Sequence, residues 1–175
     1  MALARGGDQA VIKSSNGITY FGGKREQTSK NTRVKARVKA EALREFITAK
    51  DQVIVMGHKI ADVDSFGAAV GIYRAALTME KKAYIVLNDI TTSVRPLYQA
   101  FCESPTYPDD MFIRSEDVSD VINDSTVAVV VDTNKPEMTE CPELLKMTKT
   151  IVVFDHHRQS SNIIENTVLS YIEPY

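Results

Sequence analysis

Tryptophan is absent from the 175 residues, cysteine occurs only as Cys102 and Cys141, and no apolar run approaches the roughly 18 residues of a membrane span. Two cysteines cannot frame a disulfide-stapled fold, so aliphatic packing must supply the core. Both thiols are expected to be reduced, as in a cytosolic domain. A net charge of −2 lacks the strong positive balance of a duplex nucleic-acid binder or a membrane-surface protein. The first residues do not follow a signal-peptide pattern, and neither an internal repeat nor a low-complexity tract occurs. What is present is ordinary for a globular protein, 43% hydrophobic and 25% charged. The length suits one good-sized domain with a flanking piece.

Residues 1–30 are polar and glycine-rich. Ala10-Val11-Ile12 and Ile18-Thr19-Tyr20-Phe21 flank Ser14-Ser15-Asn16-Gly17, which predicts a short β-hairpin. Arg5-Gly6-Gly7 offers backbone N–H groups to a phosphate, although one glycine pair is a weak signal. Residues 31–49 predict a connecting helix. Asn31 or Thr32 is placed to cap it, and Val34, Val38, Ala42 and Phe46 form its apolar stripe. Its other face carries Arg33, Lys35, Arg37, Lys39 and Arg44, read as a solvated surface rather than a nucleic-acid site.

From residue 51 apolar strands alternate with helices. Strands are expected at 53–56, 84–87, 111–113, 127–131, 151–154 and within 166–172. Helices are expected near 65–79 (with Ser65 as N-cap), 94–103, 116–122 and 142–147. Strands so uniformly apolar fit an α/β fold, with a mostly parallel sheet covered by helices on both faces.

Three of these strands end alike. Val53–Met56 runs into His58, Asp62 and Asp64; Val127–Val131 runs into Asp132; Ile151–Phe154 runs into Asp155-His156-His157. In a parallel sheet all three tips lie on one edge, where such folds bind ligands. Taken singly, Asp62 or Asp64 can cap a helix, Asp132 can start a turn, and His156 and His157 can be ordinary histidines. Their repeated placement at strand ends carries the inference of a metal site. Carboxylates with imidazoles and no thiolate suit Mn²⁺, Fe²⁺ or Mg²⁺ better than structural zinc. Four aspartates and three histidines exceed one ion's needs. Two ions about 3.5–4 Å apart, bridged by a carboxylate, would use them, and Asp132 is the expected bridge. Such pairs perform phosphoryl chemistry.

His58-x3-Asp62-x-Asp64, then Asp132, then Asp155-His156-His157 resembles the phosphoesterase family named after its Asp-His-His (DHH) motif. The longer run Gly57-His58-Lys59-x2-Asp62-x-Asp64-Ser65-x-Gly67-Ala68-Ala69 is similar to one branch, the membrane-anchored bacterial phosphodiesterases of cyclic di-AMP. Arg5–Lys13 and Tyr20–Lys24 look like the end of the degenerate GGDEF domain that precedes the module in that branch. The resemblance implies residues 1–30 as that tail, 31–49 as a connecting helix and 50–175 as an incomplete Rossmann-like DHH domain. It implies one Mn²⁺ on His58, Asp62 and Asp132, and a second on Asp64, Asp132 and His156. Asp155 would orient the imidazoles, and His157 would meet the scissile phosphate or its leaving group. The product implied is the linear dinucleotide pApA.

The family also has a later Asp ligand and a DHHA1 substrate domain, neither of which falls within residues 1–175. The fragment alone is therefore expected to be weakly active or inactive. The full-length protein is expected at the cytoplasmic face, anchored in the membrane. Expected partners are the cyclic dinucleotide and, as an open option, a second copy of the chain. No direct membrane contact by this piece is expected. Competing readings are an oligoribonuclease (nanoRNA phosphatase), a manganese pyrophosphatase, or a non-catalytic metal-binding piece.

Overall fold

A computed structural model of the chain describes residues 9–14, 17–22, 25–157 and 162–173, with side chains from residue 34 onward. It divides into two compact units, Met1–Ala40 and Glu41–Tyr175. In the first, β1 (Gln9–Ser14) and β2 (Gly17–Gly22) pair antiparallel as the predicted hairpin. The Arg5-Gly6-Gly7 segment and the Ser15-Asn16 turn lie outside the described residues.

Helix α1 (Arg25–Thr48) starts six residues before the expected Asn31, across a stretch without glycine or proline and rich in good helix formers. Val34 and Val38, read as part of a packed stripe, are exposed. Burial on this helix begins at Leu43 and Ile47.

The second unit is a six-stranded, wholly parallel sheet in the order β5-β4-β3-β6-β7-β8. Its strands are β3 (Gln52–Met56), β4 (Lys82–Val86), β5 (Phe112–Ile113), β6 (Thr126–Val131), β7 (Ile151–Asp155) and β8 (Leu169–Ile172). The helices are α2 (Val63–Thr78), α3 (Arg95–Cys102), α4 (Val118–Val121) and α5 (Leu144–Met147). The last strand is shorter than its apolar pattern suggested.

Alternation of side chains along each strand sends residues to opposite faces. Val53, Val55, Val127 and Val129 pack with Tyr73 and Ala76 of α2 and Ile47 of α1. Ile54, Met56, Ala128 and Val130 pack with Val118 of α4 and Leu144 of α5. Both faces are therefore covered, which is why these strands read as continuous apolar runs. At about 1.5–3 kcal/mol per fully buried aliphatic side chain, this double layer dominates stability.

The chain builds outward from β3 to β4 and β5 on one side, and from β6 to β7 and β8 on the other. The direction of strand addition reverses between β3 and β6. A crevice opens there at the carboxyl ends of the strands. Among the described residues no helix is long and apolar enough to cross a membrane.

Candidate metal centre

The loop from β3 to α2 carries His58, Asp62 and Asp64. Asp62, rather than the expected Ser65, is the N-cap of α2. Its Oδ1 accepts from the backbone N–H groups of Asp64 (3.0 Å) and Ser65 (2.9 Å). Ser65 is instead buried against Gly57. Capping occupies one carboxylate oxygen and leaves the other, Oδ2, 3.7 Å from His58 Nε2. Capping and metal binding are thus compatible in one residue.

Asp132 follows β6 directly and is held with φ 60°, in the left-handed region. A non-glycine residue there costs about 1–3 kcal/mol, and such strain collects at functional sites. Its backbone N–H donates to the carbonyl of Phe154, tying the tip of β6 to β7. Its carboxylate points both ways. Oδ2 lies 3.4 Å from His58 Nε2, while Oδ1 lies 2.9 Å from His156 Nε2. His156 Nε2 is in turn 3.5 Å from Asp64 Oδ2. Among the described residues two groups able to hold a metal ion result, sharing Asp132: one with His58 and Asp62, the other with His156 and His157, and Asp64 lies within reach of His156.

Asp155, at the end of β7, is fully buried at its side chain and faces His157. Its Oδ1 accepts from the His157 backbone N–H (3.1 Å) and lies 2.8 Å from His157 Nδ1. Asp155 Oδ2 accepts from the Asn134 side-chain amide. The His157–Asp155 side-chain bond raises the His157 imidazole above its ordinary pKa, with the Asp155 and Asp132 charges adding to it.

The donor set fits a hard divalent cation: carboxylate oxygens and imidazole nitrogens, with no thiolate. Asp132 Oδ1 is buried and accepts no hydrogen bond despite the nearby imidazole nitrogen. Burial, followed by the charges of Asp64 and Asp62, pushes the Asp132 carboxyl above its ordinary pKa. A cation held by these groups would supply the missing partner and offset the repulsion.

Sequence reasoning did not single out Glu140, Asn88, Asn134 or the packing role of Gly57. Asn88 Nδ2 donates to Glu140 Oε2 (2.6 Å) and to the Glu140 carbonyl (2.9 Å). Ser115 Oγ donates to that same carbonyl, and the Ser115 backbone N–H donates to Asn88 Oδ1. The Glu140 N–H donates to the Gly57 carbonyl, and His58 bridges to Thr139. This knot ties the tips of β4 and β5 to the loop after β6, directly behind His58. Glu140 Oε1 is buried without a partner, and burial pushes this carboxyl up to about 7.

Residues 52–175 match the model of the DHH family, N-terminal domain. The chain is 42% identical over 180 residues to the cyclic-di-AMP phosphodiesterase GdpP of Bacillus subtilis, a match covering 100% of this chain and 27% of that protein. It is 40% identical over 178 residues to the cyclic-di-AMP phosphodiesterase PdeA of Listeria monocytogenes, again over 100% of this chain and 27% of the relative. The chain thus spans about a quarter of the length of the curated relatives it matches. The crystal structure of an exopolyphosphatase-related protein from Bacteroides fragilis shares the fold, with a TM-score of 0.58 at 14% identity, over 78% of this chain and 39% of that one.

Proposed function

The chain belongs to the DHH family, and from that premise we propose that it is the metal-bearing part of a phosphodiesterase that opens cyclic di-AMP to the linear dinucleotide pApA. The observation that carries the reading is the two-sided carboxylate of Asp132, one oxygen toward His58 and the other toward His156. Relatives at 42% and 40% identity that bear the name cyclic-di-AMP phosphodiesterase support the substrate.

In this proposal His58, Asp62 and Asp132 hold one ion, and Asp64, Asp132 and His156 hold the other. Mn²⁺ is preferred, with Mg²⁺ or Fe²⁺ as alternatives. Such ions bring the pKa of a bound water toward neutral and stabilise charge on phosphate oxygens. The remaining work falls to the protein's own groups. Asp155 holds His157 by Nδ1, so Nε2 is the atom free to meet the phosphodiester. The bond to Asp155 raises the pKa of that imidazole and so favours its protonated form, which suits a donor to the departing ribose oxygen. Asn134 fixes the opposite oxygen of Asp155 and thereby the plane of the carboxylate.

The further parts of the proposal rest on the motif resemblance read from the sequence. Residues 1–30 are the tail of a degenerate GGDEF-like domain, residues 31–49 connect, and residues 50–175 are the DHH domain. Residues 1–175 span about a quarter of the length of GdpP and PdeA, and in this proposal they turn over substrate weakly or not at all on their own. The full-length protein is a membrane-anchored regulator of a second messenger at the cytoplasmic face. This piece binds neither duplex nucleic acid nor the membrane directly, and self-association into a homodimer is compatible with it.

The test compares hydrolysis of cyclic di-AMP, short oligoribonucleotides and pyrophosphate by the complete protein with Mn²⁺. Preferential opening of the cyclic dinucleotide to pApA is expected. Turnover of oligoribonucleotides or pyrophosphate without the cyclic dinucleotide would overturn the proposal in favour of another phosphoesterase of the family.

A further inference from the structure

A cavity of about 450 Å³ opens at the metal-ligand cluster, with His58, Asp132, Asp155 and His157 in its lining. Its volume lies within the roughly 300–1,000 Å³ typical of small-molecule sites. The loop after β6 also lines it, through Thr133, Asn134, Lys135 and Met138. Asn134 is committed to Asp155, whereas the Lys135 and Met138 side chains are exposed.

Both are displayed by a well-tied turn. Pro136–Met138 forms a 3₁₀ turn with Lys135 at its N-cap. The Lys135 N–H donates to Thr133 Oγ1 (3.3 Å), and the Met138 N–H donates to the Lys135 carbonyl (3.1 Å). The Met138 carbonyl accepts from the Lys59 N–H at 2.7 Å, and Thr139 Oγ1 donates to the Pro136 carbonyl at 2.8 Å. On this anchored backbone the Lys135 side chain is exposed and makes no ion pair among the described residues, and Met138 is 40% exposed. Among the described residues lining the cavity, Lys135 is the only lysine or arginine.

Lys135 and Met138 thus present an ammonium and an apolar side chain to the same cavity as His58, Asp132 and His157. A cyclic dinucleotide carries two phosphodiesters and two bases. The metal-ligand end can engage one phosphodiester, so the other needs a counter-charge and its neighbouring base an apolar face. Resting on the substrate reading above, we infer that Lys135 and Met138 form the subsite for the half of the cyclic dinucleotide that is not cleaved. The Lys135 ammonium pairs with the second phosphate, and the Met138 thioether packs against the base. Neither touches the reacting atoms, so both set affinity and selectivity rather than the chemical step.

The test uses the complete protein, with cyclic di-AMP as the two-phosphate substrate and bis(p-nitrophenyl) phosphate as a one-phosphate substrate without bases. Lys135→Ala is expected to raise KM for cyclic di-AMP about tenfold with kcat within threefold, and Lys135→Arg to restore it. Met138→Ala is expected to raise KM severalfold, with Met138→Leu restoring most of it. Calorimetric affinity for the product pApA should fall by the same factors, while bis(p-nitrophenyl) phosphate hydrolysis stays unchanged. If wild type opens cyclic di-AMP but Lys135→Ala and Lys135→Glu leave KM and pApA affinity within twofold, the subsite is wrong and the substrate reading stands. If wild type hydrolyses bis(p-nitrophenyl) phosphate but not cyclic di-AMP, the substrate reading fails first and the subsite falls with it.

Discussion

Replacing Glu140 by Gln should abolish one component of the pH dependence of stability. Glu140 is 5% exposed, and its Oε1 lacks a partner while Oε2 accepts from Asn88. Burial raises the carboxyl from 4.5 to about 7. At about 1.4 kcal/mol per pKa unit this corresponds to about 3 kcal/mol. The folded state holds the proton more tightly than the unfolded state does. Stability from this group is therefore complete below about pH 4.5, is lost as pH rises toward 7, and changes little above that. Gln keeps a carbonyl oxygen for Asn88 and carries no charge at any pH. Urea unfolding of metal-free protein at a series of pH values isolates the effect, because other carboxylates cancel in the difference between variant and wild type. Glu140→Gln is expected to gain about 3 kcal/mol relative to wild type between pH 4.5 and 7.5, most of it by pH 7. A difference that stays flat with pH would refute the reasoning, since Glu140 would then be solvated or paired.

Two further substitutions probe the loop after β3. A Cβ on Gly57 would sit 2.0 Å from Ser65 Oγ and 3.3 Å from Ser65 Cβ; Gly57→Ala should therefore destabilise by about 1–3 kcal/mol, measured as a lower urea midpoint. Adding Ser65→Ala should recover part of that loss, and a Gly57→Ala protein as stable as wild type would show that strand and helix do not approach so closely. For Asp62 the two roles separate: Asp62→Ser keeps a capping oxygen and should hold stability within a few tenths of a kcal/mol, whereas Asp62→Ala should lose about 1 kcal/mol. Both should weaken Mn²⁺ binding in calorimetry by tenfold or more, and unchanged binding in Asp62→Ser would remove Asp62 from the ligand set.

Much of the fold was legible because β3, β6 and β7 are buried on both faces and so lack polar interruptions. The gathering of His58, Asp62, Asp64, Asp132 and His156 was legible for a related reason, since polar groups follow those runs at the edge where a parallel sheet opens. Less was legible where several residues of similar chemistry compete. Asp62, Asp64 and Ser65 are all good caps, and only the path of the chain out of β3 selects Asp62. Val34 and Val38 keep helical spacing, yet spacing alone does not say what covers them, and they are exposed. Glu140 and Asn88 meet across 52 residues, and Asn134 and Asp155 across 21. Such partners leave no local periodicity in the sequence, so the polar knot behind His58 emerges only in three dimensions.

The central claim is that Asp132 serves two ligand groups at once, and Mn²⁺ calorimetry on wild type and Asp132→Asn tests it most directly. Asn has nearly the shape of Asp and tolerates the left-handed backbone at this position, so a change in metal binding would not report misfolding. Affinity is expected to fall by at least tenfold, and the binding stoichiometry with it. Affinity and stoichiometry both unchanged in Asp132→Asn would show that Asp132 is not shared between the two groups.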